Sequence, residues 1–290
     1  VGGGLIHRVS CPNIYRRPDG MSLEDYSSHL VDEFRAKVEE LGAEHVAAFF
    51  AEPIMGAGGV QVPPPGYLKG VREICRDNEI LFVADEVVTA FGRLGHFFAS
   101  KDVFDIDPDF ISSAKGLTSA YSPLSASIFT EAVYDVISVP QADGALFTHG
   151  FTYSGHPVSC AAGLANIAIM EREDICGHVR KVGPYLEEQL ASLHDLAIVG
   201  DVRGSHFMMC VENVAEKQTK ELFAPEIKIG NRIAAACQKR GVIVRPIAHL
   251  NVLSPPLVLS KGQVDEMVSV LRASIEEVMD DLVREGLWNG

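Results

Sequence analysis

The chain has 290 residues, 47% of them hydrophobic, and a formal net charge of −14. That is enough apolar material for one large core or two modest ones, while the acidity disfavours nucleic acid as a partner, because phosphate-binding surfaces are basic. No apolar stretch approaches the roughly 20 residues that span a bilayer, so no membrane partner is expected.

The chain opens on VGGG without an initiating Met and without a signal-peptide layout, which reads as a missing natural start. Residues 1–20, rich in Gly, Pro, Asn and Arg, read as loop. Ser22 and an acidic first turn, followed by apolar Leu30, Val31, Phe34 and Val38, predict an N-capped helix over 22–41. HVAAFFAEPI is a short apolar run ending in Glu52 and Pro53, which suits a buried strand of a parallel sheet. GAGGVQVPPPG is loop, 66–78 helix, and ILFVADEV a second buried strand. DFISSAKG and PLSASIFT read as a third and a fourth strand, and strands alternating with helices argue for an α/β sheet.

Further on, 155–170 and 174–194 read as consecutive helices split near Asp174. AIVGDVRGSHFMMCVE predicts two strands around a turn, 226–240 a helix, GVIVR a strand, LNVLSPPLVL a strand with a Pro-Pro break, and 261–284 a long amphipathic helix. These last segments form an α+β module. The expected division is 1–165 and 166–290, with no internal repeat. Cys11, Cys75, Cys160, Cys176, Cys210 and Cys237 include no CxxC pair, which fits reduced thiols of a cytoplasmic protein rather than disulfides or a zinc site. The ten His residues show no metal-ligand spacing, so no metal is expected. GAGG at 56–59 lacks the GxGxxG and GK[ST] contexts of a phosphate loop.

Three adjacent apolar runs each end on an ionisable residue: Glu52, Asp85 and Lys115. Ligands of open α/β sheets gather at the carboxyl ends of strands. Any one of the three alone reads as a solvated strand end, whereas three in succession favour a site. A lysine can form a Schiff base with an aldehyde, and pyridoxal phosphate is the commonest such cofactor. A carboxylate beside its ring nitrogen keeps that nitrogen protonated. Asp85 suits that role and Lys115 the Schiff base.

At these residues the chain resembles a known family. EPIMGAGGVQVPP, LFVADEVVTAFGRLG, SSAKGLTSAYSPL, HGFTYSGHPVSCAA and GVIVR…LSPPLVLS look like the class III pyridoxal-phosphate aminotransferases of fold type I, nearest the ω-amino acid and amine:pyruvate aminotransferases. The resemblance implies a mostly parallel large-domain sheet with helices on both faces, the C-terminal part of the cofactor-binding domain over 1–165, and an interdomain helix plus a small C-terminal α+β domain over 166–290. It implies that Lys115 carries the cofactor and shuttles a proton, that Asp85 pairs with the ring nitrogen, and that Val87, in the same strand, packs on the ring. It also implies that Glu52 supports the ring hydroxyl and that Thr152 contacts the cofactor phosphate of the partner subunit in a homodimer. Arg245 matches a mobile arginine that grips a substrate carboxylate, and Ala57 lies along the substrate pocket. Read without the resemblance, Val87 is plain core, Thr152 an ordinary turn hydroxyl or a cap for the helix beginning near His156, and Arg245 a surface ion-pair partner.

The implied activity moves an amino group from an ω-amino acid or primary amine to a keto acid such as pyruvate. A mutase, racemase or decarboxylase using the same cofactor is the alternative, as is an inactive fragment. The family carries a further N-terminal portion, with its phosphate-binding turn and a ring-stacking aromatic, that this sequence does not contain. Met55 stands where glutamine is usual, Ala90 and Ala120 replace expected glycines, and Ser205-His206 follows VRG where Ser or Val and then Gly are typical. Alanine for glycine is mild unless φ is positive.

Overall fold

The computed structural model describes residues 4–140 and 147–290, so the first three residues of the expected opening loop lie outside it. The rest of that loop precedes α1, Leu23–Leu41. Ser22 Oγ accepts from the Asp25 amide at 3.0 Å, closing the first turn. Tyr26, Leu30, Phe34 and Val38 then recur on one buried face.

The first sheet takes the order β1–β2–β3–β4, from Ala48–Ala51, Leu81–Asp85, Phe110–Ser113 and Ala126–Phe129. β1, β2 and β3 run parallel, and β4 returns antiparallel to β3. Helix α1 packs on the sheet through Phe34, Phe49 and Phe82, whose rings stand 4.8 Å and 5.5 Å apart in succession, and α2, Tyr67–Asp77, joins the same core through Leu68, Val71 and Ile74. Two short helices, α3 at Ala99–Asp102 and α4 at Glu131–Ile137, follow β2 and β4.

Helices α5, Pro157–Arg172, and α6, Ile175–Ala191, divide at Asp174, whose carboxylate caps α6 through the Gly177 amide at 3.1 Å. The second sheet is wholly antiparallel, in the order β5–β6–β8–β7, from β5 at Val199–Ser205, β6 at Met208–Asn213, β8 at Leu250–Leu253 and β7 at Arg245–Ile247. Its core is closed by α6, α7 at Ile229–Lys239 and α8 at Lys261–Arg284, with Leu186, Ile233, Leu271 and Ile275 against Val211 and Leu253. A capping box between Ser260 and Gln263 starts α8. Ile54 and Leu94 from the loops of the first sheet join Met208, Cys210 and Val252 of the second in one apolar cluster.

Three expectations shift. The strand expected at GVIVR begins only at Arg245, and the one expected at LNVLSPPLVL stops at Leu253. Pro255 and Pro256 have no N–H to donate, so β8 ends at Leu253, before them, and β7 pairs with it only from Arg245, opposite Val252. Val87 does not continue the strand of Asp85, because β2 ends at Asp85. The next residue, Glu86, turns its carboxylate inward. It accepts from the amides of Ala99 at 2.7 Å and Ser100 at 2.9 Å, and from the hydroxyls of Ser100 and Thr89.

Candidate active site

The register of the first sheet decides what meets at its carboxyl edge. Ala51 pairs with Ala84, so Glu52 follows at the level of Asp85; Asp85 pairs with Ser112, three positions before Lys115. The three residues expected at one edge are delivered there by three neighbouring parallel strands. Asp85 Oδ1 accepts from the Val87 amide at 3.0 Å, which fixes the carboxylate and places Val87 beside it in the turn. Asp85 Oδ2 has no hydrogen-bond partner among the described residues. Glu52 Oε2 accepts from the Gly56 amide at 2.8 Å. A cavity of about 720 Å³ opens onto this edge, lined among others by Asp85, Glu52, Met55, Cys11, Phe49 and Tyr67.

Lys115 is exposed on the short turn that leaves β3, and its amine has no hydrogen-bond or ion-pair partner among the described residues. Its φ is +39°, a left-handed conformation that costs a side-chain-bearing residue about 1 kcal/mol or more. The surroundings impose it. The Asn166 amide on α5 donates to Gly116 O at 2.9 Å and Leu117 O at 3.2 Å, and Ser119 Oγ donates to Asn166 Oδ1 at 2.8 Å. Gly116 lies so close to Phe91 that an added Cβ would stand 2.8 Å from the Phe91 Cβ. Ala120, one of the alanines in place of glycine, sits at φ +62°, and His206 at φ +50°; Ala90 is not in the left-handed region. The two former replacements are therefore strained ones.

Ala57 is exposed on the turn between Met55 and Gln61, which pair with each other through two 3.1 Å backbone bonds. Thr152 and Arg245 do not line the cavity. Thr152 is exposed in the turn before α5 and does not cap that helix, whose N-cap is His156 with no side-chain bond. Arg245 is exposed at the start of edge strand β7, with no ion-pair partner among the described residues. Sequence reasoning missed Glu86 and Asn166. Glu86 carried no signal beyond its place in the run ILFVADEV; a lone Asn inside the apolar stretch GLANIAIM was a usable signal for Asn166.

A pyridoxal-type cofactor needs a carboxylate for its ring nitrogen, a free amine for its aldehyde carbon, and a concave space of several hundred Å³. The Asp85 oxygen and the Lys115 amine on the neighbouring strand's turn, both without a partner among the described residues, and the cavity at that edge fit the group. The cavity reaches Asp85 and Glu52 and does not include Lys115 in its lining. No group of three or more His, Cys, Asp or Glu suited to a metal occurs among the described residues, nor any helix long and apolar enough to cross a membrane.

The sequence model of the family described as Aminotransferase class-III matches residues 7–275. The uncharacterized aminotransferase y4uB of Sinorhizobium fredii is 43% identical over 270 residues, covering 92% of this chain and 58% of that protein. A probable gamma-aminobutyrate transaminase 4 of Oryza sativa subsp. japonica is 38% identical over 284 residues, covering 96% and 59%. Among solved structures, an (S)-enantioselective omega-transaminase from Thermomicrobium roseum superposes with a TM-score of 0.89 at 38% identity, covering 93% of this chain and 60% of its own. The omega transaminase of Pseudomonas jessenii in complex with PMP gives 0.89 at 35% identity, with 94% and 60% covered. The chain thus spans less than two thirds of the length of these relatives. Sheet topology, motif order and these likenesses agree: the chain belongs to the class III aminotransferases, pyridoxal-phosphate enzymes of fold type I.

Proposed function

We propose that the protein moves an amino group from an ω-amino acid or primary amine to a keto acid such as pyruvate. The observation that carries this reading is the in-register delivery of Glu52, Asp85 and the Lys115 turn to one sheet edge in a class III chain. The donor class is supported by relatives named as gamma-aminobutyrate transaminases and by neighbours named as omega-transaminases. When bound, pyridoxal phosphate supplies an electron sink for the bonds at the substrate's amine-bearing carbon. Asp85 holds a proton at the ring nitrogen through opposite charge, and the Val87 amide fixes that carboxylate for the task. Lys115 anchors the group and moves a proton at its Nζ, a general acid–base role worth about 10²–10⁴-fold. Val87 packs beside the ring, and Glu52 both supports it and holds the turn that carries Ala57. Arg245, unpaired among the described residues, grips a substrate carboxylate through its planar fork.

We further propose a homodimer in which Thr152 serves the partner subunit's cofactor. Its exposed place outside this chain's cavity, among exposed Phe147, Phe151 and Tyr153, supports that arrangement. The division at residue 165 is kept as part of this reading: it falls within α5, Pro157–Arg172, which stands between the first sheet and α6 of the second core. Six free cysteines support a cytoplasmic site.

The test is a half-reaction on the full-length protein. With amine donor alone, the bound cofactor's visible absorbance converts to that of its amino form, and pyruvate restores it. Lys115→Ala lowers the rate by more than about 10³-fold. Cofactor that binds yet converts with no donor overturns the proposal, and turnover without any keto acid marks the mutase, racemase or decarboxylase alternative.

A further inference from the structure

We infer that Arg203 is a positioning residue for the substrate pocket: it ties the 55–61 turn of the first sheet to an ionic node in the second. This rests on the reading of Ala57 as pocket wall given above. Arg203 sits on β5 with its side chain only 11% exposed. Its Nε donates to Gly59 O at 2.8 Å, while Nη1 donates to Asp201 Oδ2 at 2.8 Å and Glu212 Oε2 at 2.6 Å. Glu212, 2% exposed, is held in turn by Arg16 of the N-terminal segment and by His249 at 3.4 Å from the β7–β8 turn. Five separate stretches of chain therefore converge on this node, the 55–61 turn among them through the carbonyl of Gly59.

The fit at Gly59 is close. The residue has φ +101°, and a Cβ there would stand 2.6 Å from Leu250 Cδ1 and 3.2 Å from Arg203 Nη2. That Nη2 is buried and makes no hydrogen bond among the described residues, so the guanidinium is placed by its other two arms against the turn. At its opposite end the turn hangs from Glu52 through the Gly56 amide, and a Cβ on Gly56 would meet Met208 Cε at 3.3 Å. Ala57 is thus suspended between a carboxylate level with Asp85 and a guanidinium of the second sheet. Only arginine makes all three bonds in one plane; a lysine ammonium can keep the ion pair with Glu212 but cannot reach the carbonyl with the same fork.

The experiment compares wild type and Arg203→Lys in the full-length holoenzyme. Expected are a rise of about tenfold in donor KM with kcat and cofactor retention within about twofold, and about tenfold faster amide exchange confined to 55–61. Merely structural support would lower the unfolding temperature and leave KM and local exchange unchanged well below it, and that outcome overturns the inference, as does a loss in kcat alone. If Arg203→Lys does not fold, Asp201→Asn carries the test, since it removes one of the two carboxylates while keeping the arginine. It raises donor KM and 55–61 exchange by about threefold, and unchanged values overturn the inference. A wild type that never transaminates defeats the proposed function, yet the exchange measurement still decides what Arg203 does.

Discussion

The two sheets bury themselves in opposite ways. In the second, every residue of β6 and β8 is buried, and α6, α7 and α8 close its core around Leu186, Leu271 and Ile275. In the first, β1 and β4 are edge strands, with Phe50 71% exposed and Ile128 and Phe129 also exposed. Yet the first sheet supplies Glu52, Asp85 and Lys115. Parallel strands all point their carboxyl ends one way, so ionisable residues following them gather; antiparallel strands alternate and scatter whatever follows them. The second sheet contributes by holding: Arg203 and the Met208 side chain brace the turn of the first.

The contrast is broken most forcefully at Glu86. Removing its carboxylate by Glu86→Ala leaves four donors, the amides of Ala99 and Ser100 and two hydroxyls, without their acceptor. The expected loss is about 4 kcal/mol of unfolding free energy, read from urea melts. Unfolding should begin in the first sheet, with early amide exchange in 81–85. Leu271→Ala does the converse. This fully buried α8 side chain leaves a cavity in the second core, at a cost of about 3 kcal/mol, and exchange should begin in β6 and β8. If either variant loosens both sheets equally, they form one cooperative unit.

The smallest effect tests the node between the sheets through pH. Burial pushes the Glu212 carboxyl upward, but hydrogen bonds from His249 and Arg16 and the charge of Arg203 outweigh it and hold the group down at about 2, below its ordinary 4.5. A folded value below the unfolded one means stability that is fully present above about pH 4.5 and is lost as pH falls towards about 2. Discounted for solvent screening, the contribution is on the order of 2 kcal/mol. Acid titrations followed by fluorescence should show Glu212→Gln less stable at neutral pH and less pH-dependent than wild type across that window.

Much of this was legible along the chain. Apolar runs of four or five residues marked β1, β2 and β3, the Ser22 cap and i, i+4 spacing marked α1, and the charged ends of the runs marked the site, because each signal depends on residues close in sequence. Where neighbours far away decide, the reading slipped. Pro255 and Pro256 cut β8 off at Leu253, and β7 joins it only from Arg245, opposite Val252. Val87 left the strand because Glu86 had donors waiting 13 and 14 positions on.

The sequence by itself determined the class of fold and the identity of the chemical groups, since periodicity fixes elements and side-chain type fixes what an atom can donate, accept or bind. The tertiary structure alone decided that Asn166 clamps the Lys115 turn into its left-handed conformation and that Arg203 braces the turn of Ala57. Those contacts join residues 50 and 144 positions apart. Which remote groups meet depends on how sheets and helices pack, and no local pattern encodes that.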